Sequence, residues 1–183
     1  MYFAECYIAT RIKQRLSDED SSSKQQREDL SARIARWLSL YCEKASLELS
    51  QDQSQAIVEA AQSRFYTLTG GPGVGKTTVL GILTKLLKSM GKEVFLAAPT
   101  GRAAQRLGQL ANLGARTIHR LLEWSAGEGR FLKDEDNPLI CDVLIVDECS
   151  MIDLRLIDNL QSAGSPSTQM ILVGDADQLP SIG

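Results

Sequence analysis

The sequence is poor in zinc-binding side chains. It has one histidine, His119, and its four cysteines, Cys6, Cys42, Cys141 and Cys149, form no CxxC pair. Tetrahedral zinc sites draw on such pairs and on histidine, so a zinc centre is not expected. Nor does a lone histidine with no acid or serine set around it suggest a catalytic triad. Long apolar runs are missing as well, and nothing approaches the roughly 20 residues of a membrane span. Met1–Thr10 has no basic start before an apolar stretch, and Glu5 interrupts it, so no signal peptide is read there. Scattered cysteines without such a leader point to a reducing, cytoplasmic setting. Excess positive charge is also lacking. The net charge of -3 is unlike a protein that coats nucleic acid, so any such contact is expected to be local or to rely on other parts. What remains is a chain of 183 residues, enough for one core-bearing domain and an appendage.

Met1–Leu16 reads as a short helix, and the polar stretch Ser17–Gln26 (SDEDSSSKQQ) as a linker whose acidic run is solvated. Arg27–Leu47 is expected to be amphipathic, with Leu30, Ile34, Trp37, Leu38 and Tyr41 on one face. That face packs either onto the domain that follows or onto residues upstream. Residues 1–47 are thus read as a helical lead-in and 48–183 as the main domain. Ser50 is placed to cap a helix reaching about Arg64. Strands are expected at Phe65–Thr69, Val94–Ala98, Val143–Val146 and Met170–Val173. Helices are expected at Thr77–Met90, with Gly91 as its C-terminal glycine, and at Ala103–Leu110, Thr117–Trp124 and Leu154–Leu160. A Gly- and acid-rich loop should run on through Asn137. Strands that alternate with helices and read as unbroken apolar runs indicate a mainly parallel sheet buried on both faces. The expected architecture is a three-layer α/β/α sandwich of α/β class, preceded by short N-terminal helices.

Gly70–Thr77 reads GGPGVGKT and matches the phosphate-loop pattern G-x-x-x-x-G-K-[ST] between a strand and a helix. Glycines let the backbone wrap a phosphate chain with its N–H groups inward, and the helix N-terminus adds its positive end. Gly71, Pro72, Gly73, Val74, Gly75, Lys76, Thr77 and Thr78 are therefore the candidate nucleotide-binding residues. Lys76 should reach the outer phosphates and Thr77 should face Mg²⁺. Val143–Val146 delivers Asp147 and Glu148 to the strand end where ligands of open α/β sheets bind. Asp147 would hold Mg²⁺, and Glu148 would act as general base on the attacking water. Gln178 ends the last strand region and is a candidate for contacting the terminal phosphate or its water. Pro99-Thr100-Gly101-Arg102 closes the second strand, where a capped helix N-terminus suits a phosphate of DNA. Arg102 and Arg106 lie nearby and read equally well as surface residues.

With these residues set out, the chain resembles RecD-type DNA helicases of superfamily 1. LTGGPGVGKTT (Leu68–Thr78) resembles their nucleotide loop, APTGRAAQRL (Ala98–Leu107) their motif Ia, and TIHRLLEW (Thr117–Trp124) a following segment. DECSMID (Asp147–Asp153) resembles motif II, and VGDADQLPSIG (Val173–Gly183) motif III. LSQDQ (Leu49–Gln53) is similar to an adenine-recognising Q motif, with Gln53 as the reader. The likeness covers about Leu30–Gly183. It implies a RecA-like P-loop NTPase fold, ATP and Mg²⁺, single-stranded DNA, 5′-to-3′ movement, and a role in recombination and repair. Either RecB- and RecC-like subunits of exodeoxyribonuclease V or a stand-alone helicase is implied. Cys149 stands where the family usually has alanine, a small change expected to matter little. The sequence stops at motif III. By resemblance, a second motor domain carrying arginine fingers is missing from it, so ATP should bind but turn over slowly, by a factor of about a thousand. Two other readings stand beside this one. A different P-loop enzyme, a kinase or transport ATPase, would carry a lid and phosphate-acceptor site or an LSGGQ-like segment, and neither is found. A nucleotide-binding module without turnover is the third.

Overall fold

Four of the chain's apolar runs lie side by side in one parallel sheet. The computed structural model describes residues 9–13, 24–71 and 73–175. In chain order, α1 (Lys24–Ala45) and α2 (Gln51–Gln62) lead into β1 (Phe65–Thr69), α3 (Lys76–Ser89), β2 (Val94–Ala98), α4 (Gly101–Ala111) and β3 (Ala115–Thr117). Next come α5 (Ile118–Leu121), a small hairpin β4 (Trp124–Ser125) and β5 (Arg130–Phe131), then β6 (Val143–Val146), a 3₁₀ turn (Cys149–Met151), α6 (Leu154–Ala163) and β7 (Gln169–Gly174). The main sheet runs β1-β7-β6-β2-β3, with every pairing parallel.

Alternation along the strands sorts the two faces. Val143, Ile145, Ile171 and Val173 belong to a core shared with α1 to α4. Leu144, Val146, Met170 and Leu172 belong to a second core with α5, α6 and Leu139. Because both faces are covered, these strands carry no polar alternation, which is the buried parallel-sheet pattern. The three-layer α/β/α expectation is met.

The amphipathic face of α1 packs on the domain that follows it. Ile34 and Leu38 are buried among α2 and α3 residues, and Leu30, Trp37 and Tyr41 pack alongside. Trp37 and Tyr41 stack with ring centroids 5.0 Å apart, and Lys85 of α3 donates to the Tyr41 hydroxyl at 2.8 Å. Each fully buried aliphatic side chain contributes roughly 1.5–3 kcal/mol, enough to fix the helix in place.

Helix ends follow their sequence signals. Ser50 caps α2 in a full capping box with Gln53. Gly91, at φ +80°, ends α3 in a Schellman arrangement, with Lys92 N–H donating to the Leu87 carbonyl and Gly91 N–H to that of Lys88.

Several boundaries differ from expectation. The first amphipathic helix starts at Lys24, so the linker assigned through Gln26 is shorter. Of the helix expected over Met1–Leu16, residues 9–13 are helical and the rest lie outside the described residues. The helix expected over Thr117–Trp124 is one turn, Ile118–Leu121, between strand β3 and the start of the hairpin. The Gly- and acid-rich loop contains β5, paired antiparallel with β4 through Trp124–Phe131 and Ser125–Arg130. Trp124 and Phe131 meet edge to face at 4.8 Å. No helix among the described residues is long and apolar enough to cross a membrane.

Candidate nucleotide site

The strand order decides what meets at the ligand edge. β7 lies between β1 and β6. The loop after β1 and the acids after β6 therefore stand two strand spacings apart, roughly 10 Å. The end of β7, Gly174 and Asp175, fills the floor between them. A cleft of about 360 Å³ opens there, lined by Gly71, Gly73, Gly75, Lys76, Thr77, Ala103, Arg106, Asp147, Glu148, Gly174 and Asp175.

On one wall is the glycine loop. Gly73 and Gly75 sit at φ +81° and +86°, conformations that L side chains rarely adopt. At Gly75 the space is closed as well, since a Cβ there would lie 2.5 Å from Nε2 of Gln53. Gly75 is the N-cap of α3 and brings no side-chain bond to the helix start. The first N–H groups of α3 therefore face the cleft with its positive end, an anion-binding arrangement. Lys76 Nζ donates to the carbonyl of Gly70 and, at 2.8 Å, to that of Gly71, and it lies 3.9 Å from Asp175 Oδ2. Asp175 itself is buried.

On the other wall is the acid pair. Four fully buried residues of β6 carry Asp147 to the edge, and the Asp147 N–H still pairs with the Ala97 carbonyl at 3.0 Å. The chain then turns sharply at Glu148, which adopts φ +56°, ψ +40°. A non-glycine residue in this left-handed region is uncommon. Asp147 Oδ1 accepts the Glu148 N–H at 2.9 Å. Burial pushes the Asp147 carboxyl above its ordinary range and Glu148 adds repulsion. The Glu148 N–H, the Arg106 guanidinium and the Lys76 ammonium pull the other way. A desolvated carboxylate of this kind favours a cation beside it, so the donor set of Asp147 and Thr77 fits a hard divalent ion. Cys149 is half-buried at the back of this turn. Its Sγ donates to the Val146 carbonyl at 3.2 Å, and burial pushes the thiol up to about 12.

Of the residues singled out from sequence, Gly71, Gly73, Gly75, Lys76, Thr77, Asp147 and Glu148 line one cleft. Val74 and Thr78 are exposed outside its lining. Pro72 and Gln178 lie outside the described residues. Gln53 stands behind the loop. Its Nε2 donates to the Val74 carbonyl at 3.0 Å, and its Oε1 accepts from the Ser50 N–H at 3.0 Å. Pro99, Thr100, Gly101 and Arg102 sit at the start of α4, where Thr100 Oγ1 accepts from the Ala103 N–H at 3.2 Å and Thr100, Gly101 and Arg102 are exposed. Asp175 was missed from sequence, although it directly follows a strand ending at the ligand edge. Arg106, left open there, enters the cleft because α4 docks beside it.

With the cleft described, comparison with known proteins decides the family. A family profile described as an AAA domain matches residues 53–183. The chain belongs to that family. Within it the sequence is RecD-like. It is 43% identical over 139 residues to the ATP-dependent RecD2 DNA helicase of Deinococcus radiodurans, a match covering 76% of this chain and 19% of that protein. It is 40% identical over 155 residues to the RecBCD enzyme subunit RecD of Mycobacterium tuberculosis, covering 72% of this chain and 27% of that subunit. The chain thus spans about a fifth to a quarter of the length of these relatives. A solved structure concerning DNA unwinding at forked double-stranded DNA by two coordinating Pif1 helicases superposes with a TM-score of 0.55 at 26% identity, covering 75% of this chain and 36% of that one. Pif1 from Candida albicans shares the fold, with a TM-score of 0.55 at 24% identity over 75% of this chain and 34% of that one.

Proposed function

We propose that this RecD-like AAA domain is the ATP-binding first motor domain of a 5′-to-3′ DNA helicase acting in recombination and repair. One observation carries the reading: the glycine loop with Lys76 and Thr77 and the acid pair Asp147–Glu148 face each other across a single cleft. On this reading residues 48–183 form the motor and residues 1–47 lead into it.

In the filled site the loop N–H groups and Lys76 hold the phosphate chain, and Lys76 leaves the Gly70 and Gly71 carbonyls to do so. Thr77 and Asp147 would hold Mg²⁺, whose charge would offset the cost of keeping Asp147 ionised in a partly dry site. Glu148 orients the attacking water and takes its proton. Gln178 completes the terminal-phosphate end. Gln53 reads adenine by exchanging one of its two present hydrogen bonds for the base. Within Pro99–Arg102, Thr100, Gly101 and Arg102 offer backbone N–H groups, and Arg102 a guanidinium, to a phosphate of single-stranded DNA. A second motor domain would close over the cleft and supply arginine fingers, and RecB- and RecC-like subunits are candidate partners, in the cytoplasm.

The test is ATP hydrolysis by a longer protein containing both motor domains, measured with and without single-stranded DNA. Hydrolysis should rise at least tenfold with DNA and fall to background in Glu148→Gln. Hydrolysis indifferent to DNA would assign the cleft to another class of P-loop ATPase. Nucleotide binding without any turnover would leave a binding module.

A further inference from the structure

Among the described residues, Arg106 is the one cation lining the cleft that neither the phosphate loop nor the acid pair supplies. It comes from the middle of α4. That helix buries Ala104, Leu107 and Ala111 against the sheet. Ala103 and Arg106, one turn apart, line the cleft instead. The direction of the helix makes this reach possible. α4 begins at the ligand edge, just after β2, and helical side chains lean toward the N-terminus of their helix. The long Arg106 side chain is thereby carried back toward the edge, past a residue as small as Ala103.

Its charge is directed at the acid wall. Arg106 lines the same cleft as Asp147 and Glu148. Among the described residues no carboxylate comes within 4.0 Å of Arg106, so its N–H groups are open to a ligand. The charge pattern suits such a group. Asp147, Glu148 and Asp175 all face the space where a polyanion would end. Lys76 stands on the loop side. A terminal phosphate next to the acid pair would meet like charge, which a divalent ion at Asp147 would offset in part and Arg106 would offset further.

We propose that Arg106 contacts the terminal phosphate of a bound nucleoside triphosphate from within this chain, so that the domain distinguishes a triphosphate from a diphosphate before any second domain closes over it. The inference rests on the nucleotide-site reading above and adds a residue to it. An arginine supplied in cis is a known solution to phosphoryl charge, and its forked donors match phosphate oxygens. Arg106 is exposed, so its replacement leaves the core intact.

The experiment is a titration of this chain, with Mg²⁺, by ADP and by a non-hydrolysable ATP analogue, for wild type, Arg106→Ala and Arg106→Lys. Thermal melts check that each variant is folded. Arg106→Ala should weaken the triphosphate analogue about tenfold, the scale of one lost charged hydrogen bond, and change ADP less than twofold. Arg106→Lys should recover part of the difference. Wild type that binds both nucleotides while Arg106→Ala keeps the wild-type ratio overturns the Arg106 assignment alone. Folded wild type that binds neither overturns the nucleotide-site reading, and the assignment with it.

Discussion

The Gln53 carboxamide lies 3.0 Å from the Val74 carbonyl, so the helix that opens the main domain is fastened to the phosphate loop. The same helix is fastened at its other end. Gln169 of β7 donates to the carbonyls of Ala60 and Ser63, both at 2.6 Å, and accepts from Lys92 at 2.8 Å. α2 thus links the first turn of the loop to the base of the sheet. Gln53→Ala removes the capping partner and the tether together. It should destabilise the chain by about 1–2 kcal/mol and reduce the preference for ATP over GTP. A denaturant melt and a nucleotide competition check both, and unchanged stability would show that the tether carries no load.

Asp147 holds its charge against its surroundings. Its folded pKa lies above the usual 3.8, so over the window from 3.8 up to that raised value the folded chain keeps a proton that the unfolded chain has released. Stability contributed by this group is therefore lost as pH rises through the window, and the charged form remains a cost at neutral pH. Asp147→Asn removes the charge. Without nucleotide, the variant should melt above wild type at pH 7. The difference should shrink as pH falls toward 3.8, and Mg²⁺-dependent nucleotide binding should be lost. A variant that melts lower at pH 7 would contradict this.

Gln161, on α6, is fully buried, and neither its amide nitrogen nor its oxygen has a hydrogen-bond partner among the described residues. An unpaired buried amide costs about 1–3 kcal/mol. Gln161→Met keeps the length of the side chain and removes the polar atoms, so it should raise the melting temperature by a few degrees. A lower melting temperature would mean that the amide is satisfied by water or by another contact.

Sequence legibility followed the physics of each element. β1, β2, β6 and β7 were readable because strands buried on both faces are continuous apolar runs. β3 was not. It is three residues long, Ala115–Thr117, pairs among the described residues with β2 alone, and is half exposed. Two-residue strands such as Trp124–Ser125 and Arg130–Phe131 carry no period at all, and a turn containing Gly127 and Gly129 hid their pairing. In the site, the glycine loop and Asp147–Glu148 announced themselves through local pattern. Arg106 and Asp175 did not, because their place depends on how α4 docks and on β7 inserting between β1 and β6, which are tertiary facts.

The central claim is that this chain holds a working nucleotide half-site, and a titration with a fluorescent ATP analogue and Mg²⁺ tests it most directly. Wild type should bind saturably, and Lys76→Ala, whose ammonium lies within the loop, should bind at least tenfold more weakly while melting within a few degrees of wild type. Saturable binding lost with Lys76 supports the account. A folded wild-type chain that fails to bind, or a Lys76→Ala chain that binds equally well, contradicts it.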